Sequence, residues 1–318
     1  MPRRSDPQQL VDALRGGDRG ALARAVSLIE QGGSAAREIG RLAYPFGGHT
    51  YTVGLTGAPG SGKSTLTSGI IGELRGRGDK VAVLAIDPSS PFTGGAILGD
   101  RVRMQDHALD DGVFIRSMAT RGHLGGLALA TPQAIRVLDA AGAPWVLLET
   151  VGVGQVEVEV AGTADTTVVV VNPGWGDAVQ ANKAGLLEIA DVFVINKADR
   201  DGVDETRRDL DTMLDLGELR EDQWRPPIVT SVASRAEGIV EIWEAVLRHR
   251  AYLESGGGLE RRRSARLLDE LRTIVARSLE QRAYELTTSD EFEALHQAVV
   301  ARDLDPYAAA DKVIGTVA

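Results

Sequence analysis

The 318-residue chain contains no cysteine. That absence excludes disulfides, thiolate zinc sites and thiol catalysis. Histidine is scarce as well: His49, His107, His123, His249 and His296 are scattered without metal-ligand spacing, and each reads as a structural or surface residue. Positive charge is in deficit, with 35 Lys and Arg against 45 Asp and Glu and a formal net charge of -10. A broad electrostatic footprint for DNA or RNA is therefore not expected, while a local basic patch is compatible with the balance. No run approaches the roughly 18–20 apolar residues of a membrane span. No apolar h-region follows Met1-Pro2-Arg3-Arg4-Ser5-Asp6, so the expected residence is cytoplasmic. No repeat of fixed period is found. What is there is a globular composition, 43% apolar, long enough for one large domain with a substantial core plus an appended module.

The most informative stretch is Gly57-Ala58-Pro59-Gly60-Ser61-Gly62-Lys63-Ser64-Thr65, which follows the apolar run Tyr51 to Thr56 and opens a helix-like segment. Glycines let a backbone fold closely around phosphate oxygens, so that successive N–H groups and a helix N-terminus face the negative charge. At this spacing Lys63 reaches the terminal phosphates and the Ser64 hydroxyl binds magnesium. The chain is thus expected to grip a nucleoside triphosphate.

Around that loop the pattern alternates between strand and helix. Tyr51 to Thr56, Val81 to Ile86, Val113 to Arg116, Trp145 to Glu149, Thr166 to Val171, Val192 to Ile195 and Ile228 to Thr230 read as short buried strands. Continuous apolar runs such as Val168-Val169-Val170-Val171 indicate strands covered on both faces, hence an α/β fold with a mostly parallel sheet wrapped by helices. In such sheets ligands bind beyond the carboxyl ends of the strands. Ahead of this domain, Leu10, Leu14, Leu22, Ala25 and Leu28 suggest a helical pair broken at Gly16-Gly17 and ended by Gly32-Gly33. After Gly238 the strand signal stops. Gly238 to Arg250 reads as helix and Ser255-Gly256-Gly257-Gly258 as a flexible break. Leu259 to Glu285 reads as a long charged helix with Leu267, Leu268, Leu271, Ile274 and Leu279 on one side. Two shorter helices, Ser289 to Arg302 and Pro306 to Ile314, are expected to follow. Arg261-Arg262-Arg263 reads most simply as the solvated start of the long helix. The expected division is 1–48 for the N-terminal helical segment, 49–252 for the nucleotide domain and 253–318 for a helical arm.

Asn196-Lys197-Ala198-Asp199 follows the strand Val192 to Ile195 and resembles the guanine-specificity motif of GTPases. A carboxylate at Asp199 accepts from the guanine N1 imino and N2 amino groups, and adenine has neither donor at those places. Sites built on such hydrogen bonds discriminate by about 10⁴ to 10⁵. Lys197 would lay its stem against the base, and Asn196 would tie this loop to the phosphate loop. Ser231, Val232 and Ala233 resemble the third base-contacting loop, which offers a backbone N–H to guanine O6; a plain strand-end turn is the competing reading for this piece. The two stronger motifs together indicate GTP.

Phosphoryl transfer needs charge neutralisation near magnesium. Asp87 and Glu149 end predicted strands, and Asp100 lies on the Gly94 to Gly99 connection, so all three are candidates for the phosphate edge. For Asp87, followed by Pro88-Ser89-Ser90, a turn cap is the alternative. Glu149-Thr150-Val151-Gly152 has the acidic-x-x-Gly form by which a loop senses a γ-phosphate and is released on its loss.

These segments, with Ile97-Leu98-Gly99-Asp100-Arg101-Val102-Arg103-Met104, Ile115-Arg116-Ser117-Met118-Ala119-Thr120-Arg121-Gly122, Gly125-Gly126 and Val153-Gly154-Gln155, resemble the MeaB/ArgK family, a SIMIBI-class branch of P-loop GTPases. The resemblance runs from the N-terminal helices to Asp305-Pro306-Tyr307. It implies a GTPase domain of P-loop NTPase fold with a C-terminal helical dimerisation arm, hence a homodimer that binds GTP or GDP with Mg2+. It also implies a partner, an adenosylcobalamin-dependent acyl-CoA mutase such as methylmalonyl-CoA mutase, whose cofactor delivery is gated and which is protected. By the same resemblance Lys63, Asp100 and Glu149 are catalytic, and Ser64, Asp87, Asp100 and Glu149 form the magnesium site. Asp177, Gln180 and Lys183 match a switch through which the partner influences hydrolysis; without the family that segment reads as a capped surface helix. Trp175, Asn182 and Val232 depart from the family pattern, and the first two lie in the switch, so another acyl-CoA mutase stays open as partner. Two further function classes stand beside this one: a kinase linked to basic amino acid transport, and a metallochaperone GTPase.

Overall fold

The computed structural model describes residues 6–87, 107, 109–119, 126–150, 156–174, 188–216, 223–287 and 290–315. Two compact units are distinguished, Met1–Arg263 and Ser264–Ala318.

The first unit is built on seven strands: β1 (Tyr51–Thr56), β2 (Val81–Asp87), β3 (Val113–Ala119), β4 (Trp145–Thr150), β5 (Thr166–Val171), β6 (Val192–Asn196) and β7 (Ile228–Ser231). Every pairing is parallel and the order is β3-β2-β4-β1-β5-β6-β7. All seven strands fall on the runs read from sequence, with β3 continuing to Ala119 and β2, β4, β6 and β7 each one residue longer, to Asp87, Thr150, Asn196 and Ser231. The reason is physical: β1, β4, β5 and β6 are buried at every residue, and short of their carboxyl ends they carry only apolar residues, glycine and threonine, as suits a strand covered on both faces. The chain leaves β1 on one side to build β2, β3 and β4, then crosses to the other side for β5, β6 and β7. The carboxyl ends of β1, β4 and β5 therefore flank the switch point where such sheets open a crevice.

Helices cover both faces. These are α1 (Pro7–Arg15), α2 (Arg19–Gln31), α3 (Gly33–Ala43), α4 (Lys63–Gly76), α5 (Gly126–Ala140), α6 (Val156–Thr163), α7 (Val203–Asp215) and α8 (Ile239–Ser255). The first three pack with α5 on Ala82, Leu84, Ile86, Val146 and Leu148. On the other face α4 and α8 bury Val53, Leu55, Val83, Leu147, Val168, Val170 and Val194. Leu210 and Leu214 of α7 close a third cluster over Val169, Val171, Phe193 and Ile195.

The N-terminal helices differ from expectation. Gly32 does end the expected pair, closing α2 at φ 74° with its N–H donating to the Leu28 and Ile29 carbonyls, but the chain then turns directly into a third helix, α3. A glycine pair can stop one helix and start the next because its backbone reaches angles barred to other residues. These helices also share a hydrophobic core with the sheet.

A second correction concerns the arginine triplet. α9 (Gly258–Leu286) starts after a turn at Gly256-Gly257, so the expected flexible break is a two-residue joint. Arg261 and Arg262 are exposed and Arg263 is half-buried, but the last two are engaged with aspartates rather than simply solvated. Arg262 donates to both oxygens of Asp191, at 3.1 and 2.9 Å, and to the Asp165 carbonyl. Arg263 donates to both oxygens of Asp165, at 3.2 and 2.7 Å, and to the Gly48 and Thr50 carbonyls. The two aspartates also accept from strand amides, Asp165 from Thr52 and Asp191 from Thr167, so each carboxylate fastens a strand start. Beside them Tyr51 Oη, Thr166 Oγ1 and His249 Nδ1 form a hydrogen-bonded chain with 2.8 Å links, and His249 Nε2 lies 3.2 Å from Asp191 Oδ1. Burial pushes the Tyr51 hydroxyl up to about 12 and the His249 ring down to about 4, against the opposing pull of Asp191 on the histidine.

In the second unit α9 continues and is followed by α10 (Asp290–Val300) and α11 (Pro306–Gly315). Leu267, Leu268, Leu271, Ile274, Val275 and Leu279 recur along α9 and are between 40% and 58% exposed.

Candidate functional site at the carboxyl edge

The loop from Gly57 to Gly62 joins β1 to α4 and is shaped by its surroundings. Gly57 has φ 137°, and a Cβ there would overlap the Val170 carbonyl. Gly62 has φ 94°, and a Cβ there would collide with Asn196 Nδ2. Only glycine fits either place. Gly62 caps α4 without any side-chain hydrogen bond, and no acidic residue occupies the first turn. The amide groups of that turn are thus left to an anion, favoured further by the helix dipole.

Lys63 is buried, with its Nζ donating to the Gly57 carbonyl at 2.6 Å and the Ala58 carbonyl at 3.0 Å. Its ammonium therefore sits within the loop that it would serve. One residue on, Ser64 Oγ donates to Glu149 Oε1 across 2.5 Å, and both side chains are buried. A short bond of that kind is the charge-assisted type. It joins the first turn of α4 to the carboxyl end of β4, as the register of Leu55 with Glu149 demands. A hydroxyl and a carboxylate oxygen so placed are hard oxygen donors of the sort magnesium takes. Thr150, the next residue, donates to Thr56 Oγ1 at 3.3 Å, so the roots of the two loops are also joined.

Asn196 organises the neighbouring loops. Its Nδ2 donates to the Ser61 carbonyl at 2.8 Å, while its Oδ1 accepts from Ser231 Oγ and from the Ala233 amide, both at 3.1 Å. Lys197 stands at φ 59° and donates from Nζ to the Gly60 carbonyl at 2.6 Å. The Ala198 amide donates to the Ser231 carbonyl. Val232 is buried and its amide donates to the Glu237 carbonyl, and the short turn Ala233–Arg235 follows it. Arg235 NH2 lies 3.6 Å from Asp199 Oδ2, with both side chains substantially exposed.

The structure thus brings together Gly57, Ala58, Gly60, Ser61, Gly62, Lys63, Ser64, Glu149, Asn196, Lys197, Asp199, Ser231, Val232 and Ala233 on one edge. Asp87 closes β2 at that same edge, though its side chain lies outside the described residues. Asp100, Asp177, Gln180 and Lys183 also lie outside them. Sequence reasoning missed Arg235, Thr56, Thr150 and Asn172. The signal for Arg235 was its place two residues beyond Ala233; for the others it was their position as the last or next residue of β1, β4 and β5.

The comparisons with known proteins bear on this geometry. The family model described as methylmalonyl Co-A mutase-associated GTPase MeaB matches residues 22–288. The chain belongs to the MeaB family of GTPases. A relative from Pyrococcus abyssi that is named as a GTPase is 52% identical over 308 residues, covering 96% of this chain and 95% of its own. GTPase ArgK of Escherichia coli is 39% identical over 266 residues, covering 81% of this chain and 80% of its own. Among solved structures, one titled LAO/AO transport system kinase superposes with a TM-score of 0.72 at 29% identity, covering 100% of this chain and 99% of that one. The family identifies the protein as a GTPase, and the sheet is that of the P-loop NTPase fold.

Proposed function

We propose that this MeaB-family GTPase is a chaperone of an adenosylcobalamin-dependent acyl-CoA mutase, with methylmalonyl-CoA mutase the first candidate, and that GTP binding and hydrolysis gate cofactor delivery and protect the mutase. The mutase part of the reading is supported by the description of the matching family. The guanine part is carried by one observation: Asn196 holds the phosphate loop, its own loop and the Ser231–Ala233 loop together through three hydrogen bonds.

In this reading Asp199 accepts from the base, with Lys197 along its face and the 231–233 loop at its O6. Lys63 transfers its ammonium from the Gly57 and Ala58 carbonyls to the terminal phosphates. Ser64 and Glu149, with Asp87 and Asp100, hold magnesium, which when bound neutralises charge on the phosphate oxygens. Glu149 is delivered to that place by β4, and Gly152 follows it closely enough in sequence to sense the γ-phosphate. Asp177, Gln180 and Lys183 form the switch that the mutase addresses. The exposed apolar stripe on α9 supports a homodimer formed through the arm, residues 253–318. No helix among the described residues is long and apolar enough to cross a membrane, which agrees with a cytoplasmic role.

Partner-supplied organisation can raise GTPase rates by about 10³ to 10⁵. Slow hydrolysis by the protein alone and acceleration or tightened nucleotide binding with an acyl-CoA mutase are expected; no change with any such mutase overturns the chaperone role. A solved relative described as a transport system kinase raises ATP as the competitor, and GTP is expected to displace ATP in a binding competition.

A further inference from the structure

A cation stands beside the carboxylate that is expected to read the base, with Arg235 NH2 3.6 Å from Asp199 Oδ2. The turn that carries it is closed on itself. The Val232 amide donates to the Glu237 carbonyl at 3.1 Å, and the Glu237 and Arg235 amides both donate back to the Val232 carbonyl, at 3.3 and 2.8 Å. Ala236 completes the turn at φ 56°, a left-handed conformation uncommon for a residue with a side chain. Gly238 follows at φ 81°, where a Cβ would overlap the Thr230 carbonyl. At the other end the Ala233 amide is tied to Asn196 Oδ1. A backbone so fixed presents Arg235 beside Asp199, while the guanidinium itself stays exposed and able to reorient.

The same closure uses up donors. The amides of Val232, Ala233, Arg235, Ala236 and Glu237 are bonded within the loop or to Asn196, so between Val232 and Glu237 only that of Ser234 has no partner among the described residues. A base seated on Asp199 therefore meets a loop with little backbone left to offer its O6.

Guanine places its N1 imino and N2 amino donors on the edge that a carboxylate reads, and its O6 acceptor adjoins N1. A cation next to that carboxylate is consequently next to O6. Arginine donating to guanine O6 and N7 is the commonest base-specific contact in nucleic-acid recognition, and adenine carries an amino donor where guanine has O6. The guanidinium would thus favour one base and oppose the other. Its present contact is cheap to give up, because an exposed single ion pair of this length contributes little.

We propose that Arg235 is a specificity-determining residue of this GTPase. It shields the Asp199 charge while the base site is empty and turns to guanine O6 when a nucleotide enters, so that two opposite charges read adjoining groups on one edge of the base. This rests on the base-reading role given to Asp199 above and extends it to the 6-position.

The test is equilibrium binding of the full chain, wild type against Arg235→Ala, to GDP, IDP, ADP and the diphosphate of 2-aminopurine riboside. IDP keeps O6 and lacks the N2 amino group; the 2-aminopurine nucleotide keeps the amino group and has hydrogen in place of O6. Arg235→Ala should weaken GDP and IDP by about tenfold each, the scale of one hydrogen bond to a charged group. It should leave the 2-aminopurine nucleotide within about twofold, and so narrow the preference for GDP over ADP. An equal loss for GDP and the 2-aminopurine nucleotide overturns the proposal, since that is an effect of charge alone. Unchanged or tighter GDP binding also overturns it, by making Arg235 at most a competitor for Asp199. A wild type that does not prefer GDP to ADP sinks the base-reading role of Asp199 itself, so the two failures are distinguishable.

Discussion

At the amino edge of the sheet Arg262 and Arg263 each grip an aspartate through two bonds, and those aspartates are 9% and 1% exposed. At the carboxyl edge the charges are held otherwise: Lys63 by carbonyls of its own loop, and Asp199 by one guanidinium at 3.6 Å in the open. The same residue types do different work at the two ends. Planar bidentate pairs with buried carboxylates fix strands permanently, because letting go would strand a charge away from water. Partners that are single, exposed or drawn from the loop itself can be exchanged for a ligand at small cost. The contrast suggests reading a site from how replaceable its contacts are, as well as from which residues it contains.

The largest effect that would break this comparison lies at the amino edge. Arg263→Ala leaves Asp165 buried without its cation and should cost about 3 kcal/mol or more of unfolding free energy. Arg261→Ala, two residues earlier and exposed, should stay within about 0.5 kcal/mol. Equal effects in chemical denaturation would show that the pairing has no special weight. At the carboxyl edge Asp199→Asn should lower GTP affinity by about 10² or more and reduce the preference over ATP, with melting temperature little changed. An unaltered GTP to ATP ratio in equilibrium binding would remove Asp199 from the base-reading role.

The smallest effect is the dependence on pH. His249 is held near 4 in the folded chain by burial, with Asp191 pulling up and Arg262 down, against an ordinary histidine value of 6.5. The unfolded chain therefore binds more protons in that window. The stabilising contribution is complete above about pH 6.5 and is lost as pH falls toward 4, at most about 3 kcal/mol. His249→Gln should flatten that part of the curve between pH 7 and 5 when unfolding midpoints are compared with wild type. A variant that tracks the wild-type slope would place the acid sensitivity in the carboxylates instead.

Much of the fold was legible because a strand buried on both faces tolerates little but apolar residues, and Val168 to Val171 or Val192 to Ile195 can hardly be anything else. The phosphate and base loops were legible for a related reason: close approach of backbone to phosphate forces glycine, and guanine recognition calls for an acid at Asp199. Arg262 and Arg263 were not, since their partners lie 71 to 98 residues away in the chain and a charge run looks alike whether it meets water or aspartate. The start of α3 was missed because a glycine pair marks a change of direction and is equally compatible with a loop or a new helix beyond it. Asn172 escaped notice because a single amide after an apolar run carries no pattern.

One consequence concerns how this sheet can vary among relatives. Asp165, just before β5, accepts from the Thr52 amide, while Asn172, just after it, reaches Gly60; Asp191 and Asn196 stand likewise before and at the end of β6. Adding or removing one residue between either pair would turn every later side chain to the opposite face and release one of its two anchors. Insertions and deletions should therefore be absent from β5 and β6 and collect in the connections. The spacings from Asp165 to Asn172 and from Asp191 to Asn196 thus act as two fixed rulers.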